Sequence, residues 1–216
     1  MTSRCTSKII NRFSPVFRFN SAVLLSVMVL LLPTSARAET ASARVQSFQN
    51  GLISVMKDAE QLGVQGRYER LKPLISDTFN LPLMAALSAG PYWKAADTDQ
   101  RDRLVSAFTR MSVAMLATLF DGYSGESFTL NGEKQGPQGI TFVITTLTSP
   151  SRQNGVEISY VARQSEGTWR LIDVIVDGGI SEMKVRISEY NQTLKTGGIS
   201  TLSTLLEDKA KQLLAP

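Results

Sequence analysis

The spacing of apolar residues along this chain changes twice, and those two changes constrain its fold more tightly than any short motif. From Ala41 to Leu62 the residues Val45, Phe48, Leu52, Val55, Met56, Ala59 and Leu62 recur every three or four positions, with Lys57, Asp58, Glu60 and Gln61 between them. That is the period of an amphipathic helix. From Phe128 to Val176 the period is two, and from Ile180 onward it returns to three or four. Side chains repeat every 3.6 residues on a helix and every two on a strand, so the elements run helices, then strands, then helices.

The first helical block has internal punctuation. Gly63 and Gly66 interrupt the pattern, and Arg67 to Phe79 reads as a second, shorter helix with Pro73 as an irregularity inside it. The nearly uncharged stretch FNLPLMAALSAGPYW, Phe79 to Trp93, reads as a brief buried helix between Pro82 and Gly90-Pro91. Asp97 and Gln100 form a capping box, with Asp99 and Asp102 in the first turn where the helix dipole favours anions. On the helix that follows, to about Phe120, Leu104, Phe108, Met111, Met115 and Leu119 make one stripe, which Val105, Leu116 and Phe120 widen.

Four strands are expected. Phe128 and Leu130 open the first; after the loop NGEKQGPQG, Ile140, Phe142 and Ile144 alternate with threonines, and Val156, Ile158 and Tyr160 alternate with Glu157 and Ser159. The last, Thr168 to Asp177, has Ile172, Val174 and Val176 on one face and Trp169, Leu171, Asp173 and Ile175 on the other. Short connections make this an antiparallel meander. Asp177-Gly178-Gly179 then lets the chain leave the sheet through conformations that a Cβ disfavours, and lays the next helix across one sheet face. That helix carries Ile180, Met183, Ile187, Tyr190 and Leu194, is expected to end at Gly197-Gly198 through a left-handed cap, and resumes at Leu202, Leu205, Leu206, Ala210 and Leu213. The expected fold class is α+β, with a helical subdomain packed on a four-stranded antiparallel sheet and an apolar cavity between them.

Residues 1–38 read as a cleaved secretory signal peptide and residues 39–216 as one domain. Arg4, Lys8, Arg12 and Arg18 precede the twelve-residue apolar run Ser21 to Leu32, and Ala36-Arg37-Ala38 supplies the small residues of a cleavage site. Twelve residues span roughly 18 Å as a helix, short of the ~30 Å hydrocarbon core of a bilayer. Five of the 23 basic residues leave with this leader, so 18 basic groups face 19 acidic ones in the mature chain. The overall positive charge therefore belongs to the export signal and is no argument for a nucleic-acid partner.

The reactive side chains are as informative. The chain has no histidine, and its single cysteine, Cys5, lies in the leader. The common zinc geometries and the Ser-His-Asp and Cys-His nucleophile pairs need residues the mature chain lacks. Asp173 and Asp177 share a strand face but sit about 13 Å apart, beyond the ~5 to 9.5 Å that glycosidase carboxylates require. They read as a solvated face and a turn aspartate. We expect no enzyme, no cofactor and no metal. Met56, Met84, Met111, Met115 and Met183 all fall on inward stripes, which suits either an ordinary core or a cavity that receives flexible chains.

One resemblance separates these alternatives. WRLIDVIVDGGISEMKVRISEYNQTLKTGGISTLSTLLEDK is similar to the C-terminal signature of the MlaC, or toluene-tolerance, family of periplasmic lipid-binding proteins. The matching features are Trp169, Ile172-Asp173-Val174, Asp177-Gly178, Ile180-Ser181, Arg186, Tyr190 and Gly197-Gly198-Ile199. FNLPLM, PYWKA, DQRDRLVSAF and FDGYSGESF resemble the hopanoid-associated HpnM branch. The resemblance implies a periplasmic monomer that carries phospholipid or hopanoid between an inner-membrane ABC transporter complex and an outer-membrane lipoprotein complex. Its fold is similar to nuclear-transport-factor and cystatin-like domains, with acyl tails between sheet and helices. Stripe direction then nominates the lining: Phe79, Leu83, Leu87, Phe108, Met111, Met115, Leu119, Phe142, Ile144, Ile172, Val174, Val176, Met183, Ile187 and Tyr190. An adaptor module without cargo would instead have a closed core and an exposed apolar patch.

Overall fold

The structure is a computed structural model that describes residues 39–215; the expected leader lies outside the described residues. Helices α1 (Ala41–Lys57), α2 (Ala59–Thr78), α3 (Leu81–Ala89), α4 (Pro91–Ala95) and α5 (Thr98–Leu119) come first. Strands β1 (Ser127–Gln135), β2 (Ile140–Ser149), β3 (Arg152–Ser165), β4 (Thr168–Val176) and β5 (Ile180–Ser181) follow, and α6 (Glu182–Leu213) closes the chain. The sheet is an antiparallel meander in the order β1-β2-β3-β4-β5.

Four of the six helices, α1, α3, α5 and α6, start where the sequence supplies a side-chain acceptor for free amide hydrogens. The Thr40 side chain accepts from Ala43 N, Asn80 from Leu83 N and Ser181 from Lys184 N, and the Asp97–Gln100 capping box is complete. The first turn of α1 contains no acid, and Glu133 of β1 supplies one from across the fold: its Oε1 accepts Ser42 N at 2.8 Å and the Ser42 hydroxyl at 2.5 Å.

Three helix breaks differ from expectation. α1 stops at Lys57 rather than continuing to Leu62. Within α2 the only non-helical residue is Gly63, at φ 57° and ψ 179°; Gly66 and Pro73 stay helical. In α6, Gly198 has φ 66° and ψ −166°, so the expected break is there, but through a glycine-only conformation rather than a left-handed cap.

The strands differ more. A fifth strand exists because Ile180 and Ser181 pair with Val176 and Ile175, so Ile180 is a strand residue and not the first of the helix. Asp177 and Gly178 both have positive φ, the signature of a type I′ turn, and Gly179 N closes that turn on Val176 O at 3.3 Å. β1 runs on through the expected loop to Gln135, with Asn131 bulged out between the pairs Leu130–Thr145 and Gly132–Ile144.

The core lies between the helices and one sheet face. Phe48 of α1 meets Phe79 edge-on at 5.2 Å and Tyr160 of β3 at 6.2 Å. Gln49 donates to Thr145 Oγ1 at 3.2 Å and to Tyr160 Oη at 3.4 Å, which satisfies polar groups that the packing has removed from water. The end of α2 covers the free edge of β4, where Asn80 N donates to Leu171 O at 2.9 Å and Arg170 donates to the carbonyls of Ser76 and Asp77.

Candidate functional site

The register decides which residues face the helices. Paired residues share a face, and Thr145, Tyr160 and Ala162 are fixed to the helix side by their burial and by their contacts with α1. The helix side of β2 is therefore Thr141, Val143, Thr145 and Leu147; that of β3 is Val156, Ile158, Tyr160 and Ala162. Phe142 and Ile144 point to the opposite face, which corrects their assignment to the lining. The alternation was real, but the threonines take the inner positions: Thr141 and Thr145 are buried while Phe142 and Ile144 are half-buried.

On β4 a bulge shifts the pattern. Val161 pairs with Asp173 and Ala162 with Leu171, so Ile172 has no partner on β3 and the face changes parity there. Leu171, Val174 and Val176 share the helix side, and Ile172 is set apart from the two valines with which the sequence grouped it.

Covering of this inner face is graded along the strands. At one end Thr141, Val143, Ala162 and Leu171 are sealed, each at most 1 % exposed. Toward the other end Phe128, Ile158 and Val174 touch the core but are only half-buried. Val176, which pairs with Ile158, and Leu147 and Val156, at the level of Phe128, are half-buried outside the core cluster, and Leu130, opposite the buried Thr145 on the edge strand, is 38 % exposed. The helices show the same grading. α5 packs on α2, α3 and α6 and makes no comparable approach to any strand. Its buried residues end at Ala117, while Met111, Met115, Leu116 and Phe120 are half-buried and Leu119 is 65 % exposed. Apolar side chains are left half-covered on both layers, and their chemistry suits hydrocarbon.

The other nominated residues divide by burial. Phe79, Phe108, Met183 and Tyr190 are core, each under 9 % exposed, and Met111, Met115, Val174 and Val176 are half-covered. Leu83 is half-buried on α3 and Leu87 is 46 % exposed. Ile187 is 43 % exposed and lines a separate groove of about 470 Å³ between α6 and the α3–α4 junction, with Tyr92, Lys184 and Leu194. The inward stripe of α6 is Met183, Arg186, Tyr190 and Leu194, so Arg186 occupies the place that spacing had given to Ile187. Both choices fit a helical period, and hydropathy alone favoured the isoleucine.

One polar group that the sequence assigned to solvent is structural instead. Asp173 is half-buried; its Oδ1 accepts Val174 N at 2.8 Å and Met183 N at 3.0 Å, and its Oδ2 accepts the Ser181 hydroxyl at 2.5 Å. It holds the start of α6 against β4. Asp177 is exposed, in the turn, 3.9 Å from Arg152. Arg67 is buried and donates to the carbonyls of Ala117 at 2.7 Å and Ala59 at 2.9 Å, placing a cation where the last turn of α5 concentrates negative charge. Burial pushes the Tyr160 hydroxyl up to about 12, against the opposing effect of its Gln49 hydrogen bond, and burial also raises Tyr190 against the neighbouring Arg186.

Comparisons with known proteins agree with this architecture. Residues 46–208 match the family model described as MlaC protein. The intermembrane phospholipid transport system binding protein MlaC of Haemophilus influenzae is 24 % identical over 138 residues, which are 62 % of this chain and 63 % of that protein. A phospholipid-binding protein from Ralstonia solanacearum, solved in complex with a phospholipid, superposes with a TM-score of 0.72 at 15 % identity. That alignment covers 82 % of this chain and 100 % of the solved one.

Proposed function

Because the chain belongs to the MlaC family, we propose that it is a lipid carrier whose cargo tails occupy the half-covered slot between the inner sheet face and α5–α6. One observation carries this reading: the apolar lining is sealed at one end of the sheet and open at the other. A closed core would seal both ends. The names of the relatives concern phospholipid, which supports that class of cargo here. A hopanoid-type lipid is the second reading, favoured by the likeness of FDGYSGESF to the hopanoid-associated branch.

Energetics define the carrier's working conditions. Two long acyl chains at ~0.8 kcal/mol per CH₂ are worth roughly 25 kcal/mol against water, so cargo is not released into solvent. Against a bilayer the balance is near zero, because both surroundings are apolar. Loading and unloading thus require contact with membrane partners: an ABC transporter complex in the inner membrane and a lipoprotein complex in the outer one. The proposal places residues 39–216 in the periplasm as a monomer, after removal of residues 1–38.

Native mass spectrometry of the mature chain, purified without detergent, tests the proposal. A bound lipid of one or two chains per protein is expected. A lipid-free mass that does not change after incubation with membranes overturns it in favour of an adaptor module.

A further inference from the structure

The groove of about 470 Å³ beside α6 is separate from the slot and has its own chemistry. One wall is α6 and the other is residues 88–92, where α3 passes into α4. Ile187, 43 % exposed, and the recessed Leu194 give it an apolar floor, to which the half-buried Tyr92 adds an aromatic ring. Ser88, Ala89 and Gly90 on the facing wall carry short side chains or none, which leaves the space between the walls unfilled. On α6, Lys184, Ser188, Asn191 and Lys195 recur at helical spacing along the rim.

These polar side chains have no partner in the fold. Among the described residues, Lys184 and Lys195 form no ion pair, and Lys184 enters a hydrogen bond only through its backbone N. The charged residues that line the groove are these two lysines alone among the described residues, while Glu182 and Glu189 fall on other faces of α6. In a mature chain whose acidic and basic groups nearly balance, that is a local positive field over an apolar floor. The two ammonium groups stand on residues separated by about 16 Å along the helix, three turns at 1.5 Å per residue.

We propose that this groove docks an acidic amphipathic helix of a partner protein. Three turns of helix laid along α6 present apolar side chains to Ile187, Leu194 and Tyr92, and carboxylates one at each end to Lys184 and Lys195. The concave shape disfavours a lipid surface, because a bilayer is flat on this scale and meets the lysine rim without reaching Leu194, 3 % exposed. The leader of this chain has the wrong sign, since Arg4, Lys8, Arg12 and Arg18 would face the two lysines. The groove runs along α6 between its Ser181 cap and the non-helical Gly198, so a docked helix grips only that half of α6. This surface stands apart from the slot, whether or not the slot holds lipid.

The test follows amide resonances of nitrogen-15-labelled mature protein during titration with a synthetic amphipathic helix of about five turns, leucine on one face and glutamate on its flanks. The controls are the same peptide with lysine in place of glutamate, and a scrambled peptide of equal composition without an apolar face. Saturable shifts confined to residues 88–92 and 184–195 are expected with the glutamate peptide alone, and affinity should fall about tenfold as salt rises and screens the lysines. The double variant Lys184→Glu, Lys195→Glu is expected to lose the glutamate peptide and gain the lysine peptide, whereas Lys209→Glu, exposed but outside the groove, changes neither. Ile187→Asp should weaken binding by about tenfold or more while melting like wild type, because the side chain is exposed. No shift with the glutamate peptide, equal shifts with either control, or undiminished binding in the double variant overturns the inference. Two further results also overturn it: cosedimentation with phosphatidylglycerol vesicles through the same lysines, which assigns the face to a lipid surface, and concentration-dependent shifts of these residues without peptide, which assign it to a second copy of the chain.

Discussion

The Asp173 carboxylate joins β4 to the first turn of α6, accepting the Ser181 hydroxyl at 2.5 Å and Met183 N at 3.0 Å. Ser181 is itself the N-cap of α6. One carboxylate thus fixes where the final helix leaves the sheet, and with it the height of the helix layer above Val174 and Val176. Asp173→Ala is expected to cost about 2 kcal/mol in urea denaturation, as a charged acceptor of three hydrogen bonds is lost. Ser181→Ala costs about 1 kcal/mol. Because the two side chains share a bond, the double substitution should cost clearly less than the sum. Strict additivity would mean that the contact is not formed in solution.

The break at Gly198 makes a separate prediction. A Cβ there would meet nothing within 4 Å, so any penalty for Gly198→Ala is conformational and not steric crowding. At φ 66° and ψ −166° the penalty is about 1–3 kcal/mol. For a domain of this size that corresponds to a fall of several degrees in Tm. An unchanged Tm would show that α6 is continuous through this residue.

Stability should also fall in alkali. The Tyr160 hydroxyl is raised to about 12 by burial, whereas in the unfolded chain it titrates near its ordinary value of 10. A raised value means that the contribution is intact below pH 10 and is lost as pH rises toward 12. The loss approaches about 3 kcal/mol, at roughly 1.4 kcal/mol per pKa unit. Tyr190 is shifted in the same direction and adds to the trend. Tyr160→Phe should flatten the decline of denaturation midpoint between pH 9.5 and 11.5 in a urea series. A slope equal to that of wild type would assign the alkaline loss to other groups.

Much of the fold was readable because helix and strand periods differ by almost a factor of two, and because Asp97-Gln100 and Asp177-Gly178 are local chemistry. What the sequence obscured was the direction of side chains. In β2 either face is compatible with alternation, and hydropathy assigned Phe142 and Ile144 inward, whereas Thr141 and Thr145 are inside, Thr145 receiving the Gln49 hydrogen bond. In β4 a single unpaired residue, Ile172, reverses the parity, and no composition signal marks it. In α6 the burial of Arg186 defies hydropathy, since its surroundings are a phenol, a thioether and an aromatic face contributed by both α5 and α6. Bulges and tertiary partners decided these cases, and neither is local.

The most direct test of the slot compares the two faces of one sheet. Ile158 and Ile144 are both half-buried apolar residues on neighbouring strands, but register places Ile158 toward the helices and Ile144 away from them. A benzophenone side chain introduced at each position, in mature protein loaded with phospholipid and irradiated, should yield a protein–lipid adduct from position 158 and none from position 144. Equal labelling from both faces, or labelling from position 144 alone, would contradict the account.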